Sequence, residues 1–235
     1  MKFSFVLALA LTVAAPAVAQ QQVPEIPFDS APNALQLPPD MYLGEAAGVA
    51  VNSKHHVFVF HRGNVSGPAF GAAAAQLLEF GPDGKFIREI GHGLYSMAYA
   101  HAVRIDKADN IWIIDKGSDM IVKFTPDGRV AMVFGRKKEA SEKAEPWENV
   151  NPPLPPINGQ FRQPTDVTWD PAGNIYISDG YVNSRVAKFD KNGDWVASFG
   201  TPGSGPLQFN TPHSIASDAA GNIYEIGRAS CRERV

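Results

Sequence analysis

Short apolar runs separated by Gly, Asn, Asp and Pro occupy the chain from about residue 46 to residue 225. Val57-Phe58-Val59-Phe60, Ile111-Trp112-Ile113-Ile114 and Ile175-Tyr176-Ile177 are β-branched and aromatic, residue types that suit a pleated surface. No run shows the long 3.6-residue alternation of an amphipathic helix, so the pattern predicts strands. Their turns repeat as well. Ile105-Asp106-Lys107-Ala108-Asp109-Asn110-Ile111-Trp112-Ile113 recurs as Trp169-Asp170-Pro171-Ala172-Gly173-Asn174-Ile175-Tyr176-Ile177. It returns as Ser217-Asp218-Ala219-Ala220-Gly221-Asn222-Ile223-Tyr224, and more loosely as Val51-Asn52-Ser53-Lys54-His55-His56-Val57-Phe58-Val59. Each copy reads as a β-hairpin: strand, Gly/Asn/Asp turn, strand. A second hairpin follows, as in Phe124-Thr125-Pro126-Asp127-Gly128, and Phe80, Phe124 and Phe189 each stand eleven residues before a glycine (Gly91, Gly135, Gly200). One unit is thus four short antiparallel strands. The first period is 44 residues, from Phe80 to Phe124, and the next is 65 because residues 136–160 are inserted.

Four-stranded units repeating at this spacing are the signature of a β-propeller, in which each blade buries one face on its neighbour and the array closes with 4–8 blades. The expected fold is therefore all-β: an NHL-type propeller, by resemblance of the units to that repeat, with about four blades present of six. Residues 41–225 supply three blades and the inner hairpin of a fourth. Composition agrees, with 44% hydrophobic and 19% charged residues and 21 Gly and 19 Pro for turns, and it excludes a collagen or a disordered tail. A formal net charge of −3 offers no basic surface for nucleic acid. The insertion is charged and then Pro-rich (Pro152-Pro153-Leu154-Pro155-Pro156), and reads equally as a lid or a solvated connection.

Both ends fall outside this repeat. Residues 1–19 combine a basic start at Lys2, an apolar run too short to span a bilayer, and the ending Ala17-Val18-Ala19. That is the pattern of a cleaved secretory signal peptide, so the mature chain is expected to be secreted or periplasmic, with no membrane contact. Residues 20–40, rich in Pro and Gln, read as an extended arm. Residues 226–235, Ile-Gly-Arg-Ala-Ser-Cys-Arg-Glu-Arg-Val, translate one frame of a common sequencing-adapter oligonucleotide. They are expected to be artefact, with Glu225 a hybrid codon in place of a residue such as Val and the gene continuing beyond it. The single cysteine, Cys231, lies in that tail and forms no internal disulfide. Removing Lys2 with the leader and a net two positive charges with the tail takes the formal charge from −3 to −6.

His101 lies nine residues before Asn110, and His213 nine before Asn222; the same offset lands on Ala47 in blade one and Thr165 in blade three. This position opens the innermost strand of a blade, so equal offsets mean equal heights around the channel. Histidine at alternate blades of six would set three imidazoles trigonally, the arrangement of a three-His zinc site with an open fourth position. Singly, each histidine reads as an ordinary channel-lining residue. Residues just after the second strand return to the same face, which brings Arg62 and Tyr181 to the mouth above the histidines. A tyrosine between a metal ion and a guanidinium favours phenolate and can act as a general base.

Phe60-His61-Arg62-Gly63, Ser178-Asp179-Gly180-Tyr181-Val182-Asn183-Ser184-Arg185, Gln163-Pro164-Thr165-Asp166-Val167 and Pro212-His213-Ser214 together resemble peptidyl-α-hydroxyglycine α-amidating lyase, from about residue 42 to residue 224. The resemblance implies a six-bladed propeller whose three-His zinc site matches His101 and His213, with the third histidine beyond this chain. It also implies catalytic roles at Arg62 and Tyr181, and a structural calcium held partly by backbone carbonyls at Val49 and Val103. The implied substrate is a small peptide or amide-like carbinolamide, split to a peptide amide and glyoxylate. Departures are Ala100 where the family tends to have Pro, and Val182 where it has a cysteine, so that disulfide is missing. With an incomplete metal triad, this chain is expected to be inactive. Other readings are a non-catalytic NHL propeller that binds a protein or glycan, and a calcium-dependent lactonase, for which Asp166 is the one obvious acidic channel residue.

Overall fold

The computed structural model describes residues 25–63, 74–138, 146 and 154–227. The leader and residues 228–235 of the tail lie outside them. The chain divides into two units, Met1–Pro32 and Asn33–Val235. Of the first, residues 25–32 are exposed and form no strand. In the second, three four-stranded antiparallel sheets form blades one to three. Blade one is β1 (Ala46–Val51), β2 (Val57–His61), β3 (Gln76–Phe80) and β4 (Phe86–Ile90); blade two is β5 (Ala100–Ile105), β6 (Ile111–Asp115), β7 (Met120–Phe124) and β8 (Val130–Phe134). Blade three is β9 (Asp166–Trp169), β10 (Ile175–Asp179), β11 (Arg185–Phe189) and β12 (Trp195–Phe199). A two-stranded parallel pair, β13 (Thr201–Pro202) with β14 (Gln208–Phe209), precedes the hairpin of β15 (Pro212–Ser217) and β16 (Ile223–Gly227). The described residues contain no helix.

The repeated turn has a local cause. Asp106 Oδ1 accepts the N–H groups of Ala108 (2.9 Å) and Asn110 (3.0 Å), while Oδ2 accepts Asn110 Nδ2 (2.9 Å) and Trp112 Nε1 (3.0 Å). Asp170 and Asp218 make the equivalent bonds, the last aromatic donor becoming a tyrosine hydroxyl from Tyr176 or Tyr224. These Asx turns fix the hairpin before any packing does. Led by the Asn222 side chain, the donors hold the Asp218 carboxyl at about 2. The fourth turn residue needs a left-handed backbone (φ +88° at Gly173, +84° at Gly221), which glycine adopts at least cost; Asp109 accepts φ +60°.

The innermost strands β1, β5, β9 and β15 lie side by side, and apolar seams join the blades. Phe58, Phe60 and Leu77 of blade one pack on Val103, Ile113 and Phe124 of blade two. Each Phe buried in this way contributes about 1.5–3 kcal/mol. The second seam is aromatic: Trp112 lies 5.3 Å from Trp169, and Phe134 lies 4.7 Å from Phe189. Tyr176 and Val186 meet Ile215 and Ile223 across the third.

One carboxylate latches three blades. Asp166 of blade three takes Nε and Nη2 of Arg104 (2.8 and 2.6 Å) from blade two, and Ser214 Oγ (2.8 Å) and Ile215 N–H (3.2 Å) from the last hairpin. On the other face of blade one, Leu35, Leu37 and Met41 cover Val59, Leu78 and Phe80. Gln36 bridges Lys85 there in parallel, so the last part of the Pro/Gln-rich segment docks as an extra edge. Strand β16 runs through Ile226 and Gly227. Glu225 stands opposite Ile215 at 1% exposure, a position that suits an apolar side chain.

A candidate metal-binding site at the channel mouth

His101 and His213 are each the second residue of a blade's first strand, and in both strands the register slips there: between Ala100 and Ala102 in β5, and between Pro212 and Ser214 in β15. Blade one has the same slip around Ala47. Each is a β-bulge, the device that re-aims a side chain out of the pleat. The two imidazole centroids stand 4.8 Å apart. His101 Nδ1–H donates to the Thr165 carbonyl (2.7 Å), which fixes the tautomer and turns the Nε2 lone pair toward the Tyr181 hydroxyl at the mouth. Burial pushes the His101 pKa down to about 3, with repulsion from His213, Lys116 and Arg62 adding to it and the Thr165 carbonyl opposing it. The ring is therefore neutral at physiological pH, the form a metal ligand requires.

Tyr181 lies between them. Its hydroxyl is 3.0 Å from His213 Nε2 and 3.4 Å from His101 Nε2. The turn that carries it is held by a buried network built from its own signature. Asp179 accepts Arg185 Nε (3.0 Å), Asn183 Nδ2 (2.5 Å) and Arg162 N–H (2.9 Å), and Arg185 Nη2 donates to the Gln160 carbonyl (2.8 Å). Burial pushes the Asp179 carboxyl up, and Arg185 foremost draws it back. Ser-Asp-Gly-Tyr-x-Asn-Ser-Arg is thus mostly scaffold, with Tyr181 the part that faces the site. Gly180 has a separate reason to be glycine: a Cβ there would stand 1.8 Å from the Pro212 carbonyl oxygen, which is backbone. We expect Gly180→Ala to displace β15, and His213 with it. The result would be a loss of about 1–3 kcal/mol in unfolding free energy and a zinc affinity at least tenfold weaker by calorimetry. Unchanged zinc binding would show that blade four can shift without moving His213.

Arg62 enters from blade one. Its Nε donates to the Ala100 carbonyl (2.9 Å), Nη1 pairs with Glu45 (2.5 Å), and the guanidinium stacks 4.0 Å from the Tyr99 ring centroid. His61, beside it, is structural. Its Nδ1 accepts the N–H groups of Gly44 (3.2 Å) and Gly63 (3.1 Å), and burial lowers its pKa. Asp115 does the same for blade two, accepting Ala98, Tyr99 and Ser118 N–H groups. The sequence reading passed over Lys116, which follows Asp115 as Arg62 follows His61. Lys116 is 3% exposed, with Nζ 3.6 Å from the Tyr181 ring centroid. The offset shared with Arg62 was the signal that marks it.

Val49 and Val103 occupy matched positions on neighbouring inner strands, paired with Val59 and Ile113. The strands approach closely there, a Cβ on Gly48 falling 2.7 Å from the Val103 nitrogen. Among the described residues no group of three or more His, Cys, Asp or Glu side chains is placed to hold a metal ion, so the cluster contributes two imidazoles and a phenol. Asp166 spends both carboxylate oxygens on its latch with Arg104, Ser214 and Ile215.

Blades of this kind define a class, the NHL-repeat β-propellers, and a family model described as the NHL repeat matches residues 161–189, most of blade three. The solved structure of a streptogramin B lyase superposes with a TM-score of 0.54 at 13% identity, over 81% of this chain and 50% of that one, a likeness of fold. Relatives in sequence are more specific. The chain is 30% identical over 202 residues to the rat (Rattus norvegicus) peptidylglycine alpha-amidating monooxygenase, covering 76% of this chain and 19% of that protein. It is 30% identical over 197 residues to a probable peptidyl-alpha-hydroxyglycine alpha-amidating lyase of Caenorhabditis elegans, 76% of this chain and 51% of that one. It is 26% identical over 210 residues to human (Homo sapiens) NHL repeat-containing protein 3, 84% of this chain and 53% of that one. The chain thus spans about half the length of the worm lyase and about a fifth of the rat protein.

Proposed function

We propose that this chain is three blades and the inner hairpin of a fourth from a secreted zinc-dependent carbon–nitrogen lyase that splits peptidyl-α-hydroxyglycine, or a similar carbinolamide, into an amide and glyoxylate. The observation that carries the reading is the cluster of His101, Tyr181 and His213, three residues on three blades with the phenol oxygen within 3.4 Å of both Nε2 atoms. The donor set fits zinc, because His101 is neutral, has its Nδ1 side occupied by a carbonyl, and presents Nε2. His101 and His213 would hold the ion with a third histidine from a later blade. Zinc when bound supplies Lewis acidity that makes the substrate hydroxyl easier to deprotonate. Tyr181, as phenolate, takes the hydroxyl proton while the hydroxyl oxygen becomes the carbonyl of glyoxylate and the C–N bond breaks, and it then gives that proton to the departing amide nitrogen, which restores the phenolate. Arg62, fixed by Ala100 and Glu45, orients the substrate and offsets developing negative charge. Backbone carbonyls of Val49 and Val103 would share the structural calcium that the resemblance implies.

Recovering the gene past codon 224 from intact genomic DNA tests this reading. A sixth blade opening with histidine at the His101 offset supports it, as does stoichiometric zinc lost in the double variant His101→Ala, His213→Ala, and glyoxylate released from a peptidyl-α-hydroxyglycine. In the present chain we expect weak zinc binding that either single alanine abolishes. The second reading is a non-catalytic NHL propeller that binds a protein or glycan partner, and it is compatible with the similarity over 84% of the chain to human NHL repeat-containing protein 3, whose name carries the repeat and no activity. That reading prevails if the double variant leaves the zinc content unchanged.

A further inference from the structure

Thr165 occupies the blade-three counterpart of His101 and His213, nine residues before Asn174. Its side chain has no part in the lyase chemistry. The residue is 0% exposed, and its polar atoms serve three blades. Its N–H donates to the Ser178 carbonyl of its own blade (2.8 Å), and its carbonyl accepts His101 Nδ1–H from blade two (2.7 Å). Its hydroxyl donates to the Pro212 carbonyl (2.8 Å), in the peptide unit that joins Pro212 to His213, and lies 2.8 Å from Ser178 Oγ. The Ser178 carbonyl is farther, at 3.1 Å, and already takes the Thr165 N–H, so the one hydroxyl proton belongs to Pro212. The methyl completes the set, since Cγ2 stands 3.1 Å from where a Cβ on Gly180 would fall, next to Tyr181. Strands β5 and β15 belong to separate sheets, and each lies beside β9, so the height of one imidazole against the other is set through blade three. Ligands that share one ion must be held to within about 0.5 Å of their working geometry. The Asp166 latch joins the same strands at Arg104, Ser214 and Ile215, which keeps the blades docked. Thr165 grips one imidazole itself and the peptide unit that carries the other.

We propose that the Thr165 hydroxyl is a positioning group for a divalent metal ion: it ties the His213 strand to the residue whose carbonyl orients His101, so that both Nε2 atoms meet one ion. This deepens the lyase reading and rests on it for the identity of the two ligands. Threonine suits the place because its β-branch leaves few χ1 rotamers, which keeps the hydroxyl on Pro212 while the methyl fills the space beside Gly180. Serine keeps the bond, and valine keeps the shape without it.

The test is calorimetric titration of the chain with zinc, alongside the visible absorption of its cobalt(II) form. Thr165→Val is expected to bind zinc about 10–100-fold more weakly, the range for removing a group that orients a metal ligand, and Thr165→Ser to stay within about threefold of the unmodified chain. The cobalt(II) spectrum should change in the valine variant and persist in the serine variant. Urea denaturation with chelator present separates positioning from packing. Thr165→Ser, which loses the methyl, should unfold more easily than the unmodified chain and still bind zinc as it does, whereas in a packing role affinity follows stability. Unchanged zinc affinity in Thr165→Val, or a loss in Thr165→Ser equal to that in Thr165→Val, overturns the proposal. If Thr165→Val does not fold by circular dichroism, Thr165→Ala set against Thr165→Ser provides the same contrast. Failure of the underlying reading looks different. Zinc binding that survives both His101→Ala and His213→Ala removes the two-histidine ligand set and the proposal with it. Zinc that depends on Thr165, in a chain extended by its further blades that releases no glyoxylate, keeps the positioning role and removes the lyase chemistry.

Discussion

Under the lyase chemistry proposed above, replacing Tyr181 with phenylalanine, in a chain extended by the further blades that proposal requires, is expected to lower kcat for glyoxylate release about 10²–10⁴-fold, the range for removing a positioned acid–base group. The KM should move less than about threefold, because the lost hydroxyl acts on a proton in the transition state and contributes little to ground-state binding. The ring of Tyr181 is 6% exposed and packs edge-on against both imidazoles, so phenylalanine preserves the shape of the site. Folding stability should fall by only about 1 kcal/mol, the net worth of one hydrogen bond. Zinc content, measured by atomic absorption, should be retained. Activity within fivefold of the unmodified protein would remove Tyr181 from the chemistry and leave it a packing residue between two histidines.

Arg185→Met is expected to have the largest effect on stability. Arg185 and Asp179 are 1% and 0% exposed in their side chains and 3.0 Å apart. Removing the guanidinium strands a buried carboxylate, a change that costs about 3–5 kcal/mol where one partner of such a pair is lost. The double variant Arg185→Met, Asp179→Leu should recover part of that loss, since no charge is then left uncompensated. Chemical denaturation with both variants and Asp179→Leu alone completes the cycle. A coupling near zero would mean that Asn183, Arg162 and the Gln160 carbonyl carry the turn without the ion pair. The consequence reaches function, because the same turn sets the height of Tyr181 above the histidines.

The hairpins were legible in the sequence because their cause is local. An Asp or Asn at the first turn position, an Asn four residues on, and a residue able to take positive φ between them close the turn by themselves, and three of the four turns announce it in the same letters. The matched offsets of His101 and His213 followed from that register. Other features depend on partners far along the chain. The bulges that re-aim both histidines belong to a pair of strands, and nothing in Ala100-His101-Ala102 alone declares one. Lys116 is marked in the sequence only by the offset it shares with Arg62, and its place against the Tyr181 ring depends on a turn sixty-five residues later. Of the signature around Tyr181, only the tyrosine faces the site: Asp179, Asn183 and Arg185 spend their polar groups on one another and on the Arg162–Gln160 segment. The short β13–β14 pair and the docking of Leu35, Leu37 and Met41 on blade one were also beyond local pattern, since Leu35-Gln36-Leu37 alternates over only three residues and β13 and β14 are two residues each.

The two imidazoles belong to non-adjacent sheets, with blade three between them. Any guest that grips both is a staple across two seams at once. In an array where each sheet touches only its neighbours, fraying starts at an end and proceeds one interface at a time. A guest bound only by the intact arrangement adds its own binding free energy to the cost of peeling off the last hairpin, in proportion to its concentration over its dissociation constant. Occupancy of the mouth is thereby written into the rigidity of the arc's far end, and the molecule's mechanical integrity and its chemistry become one equilibrium.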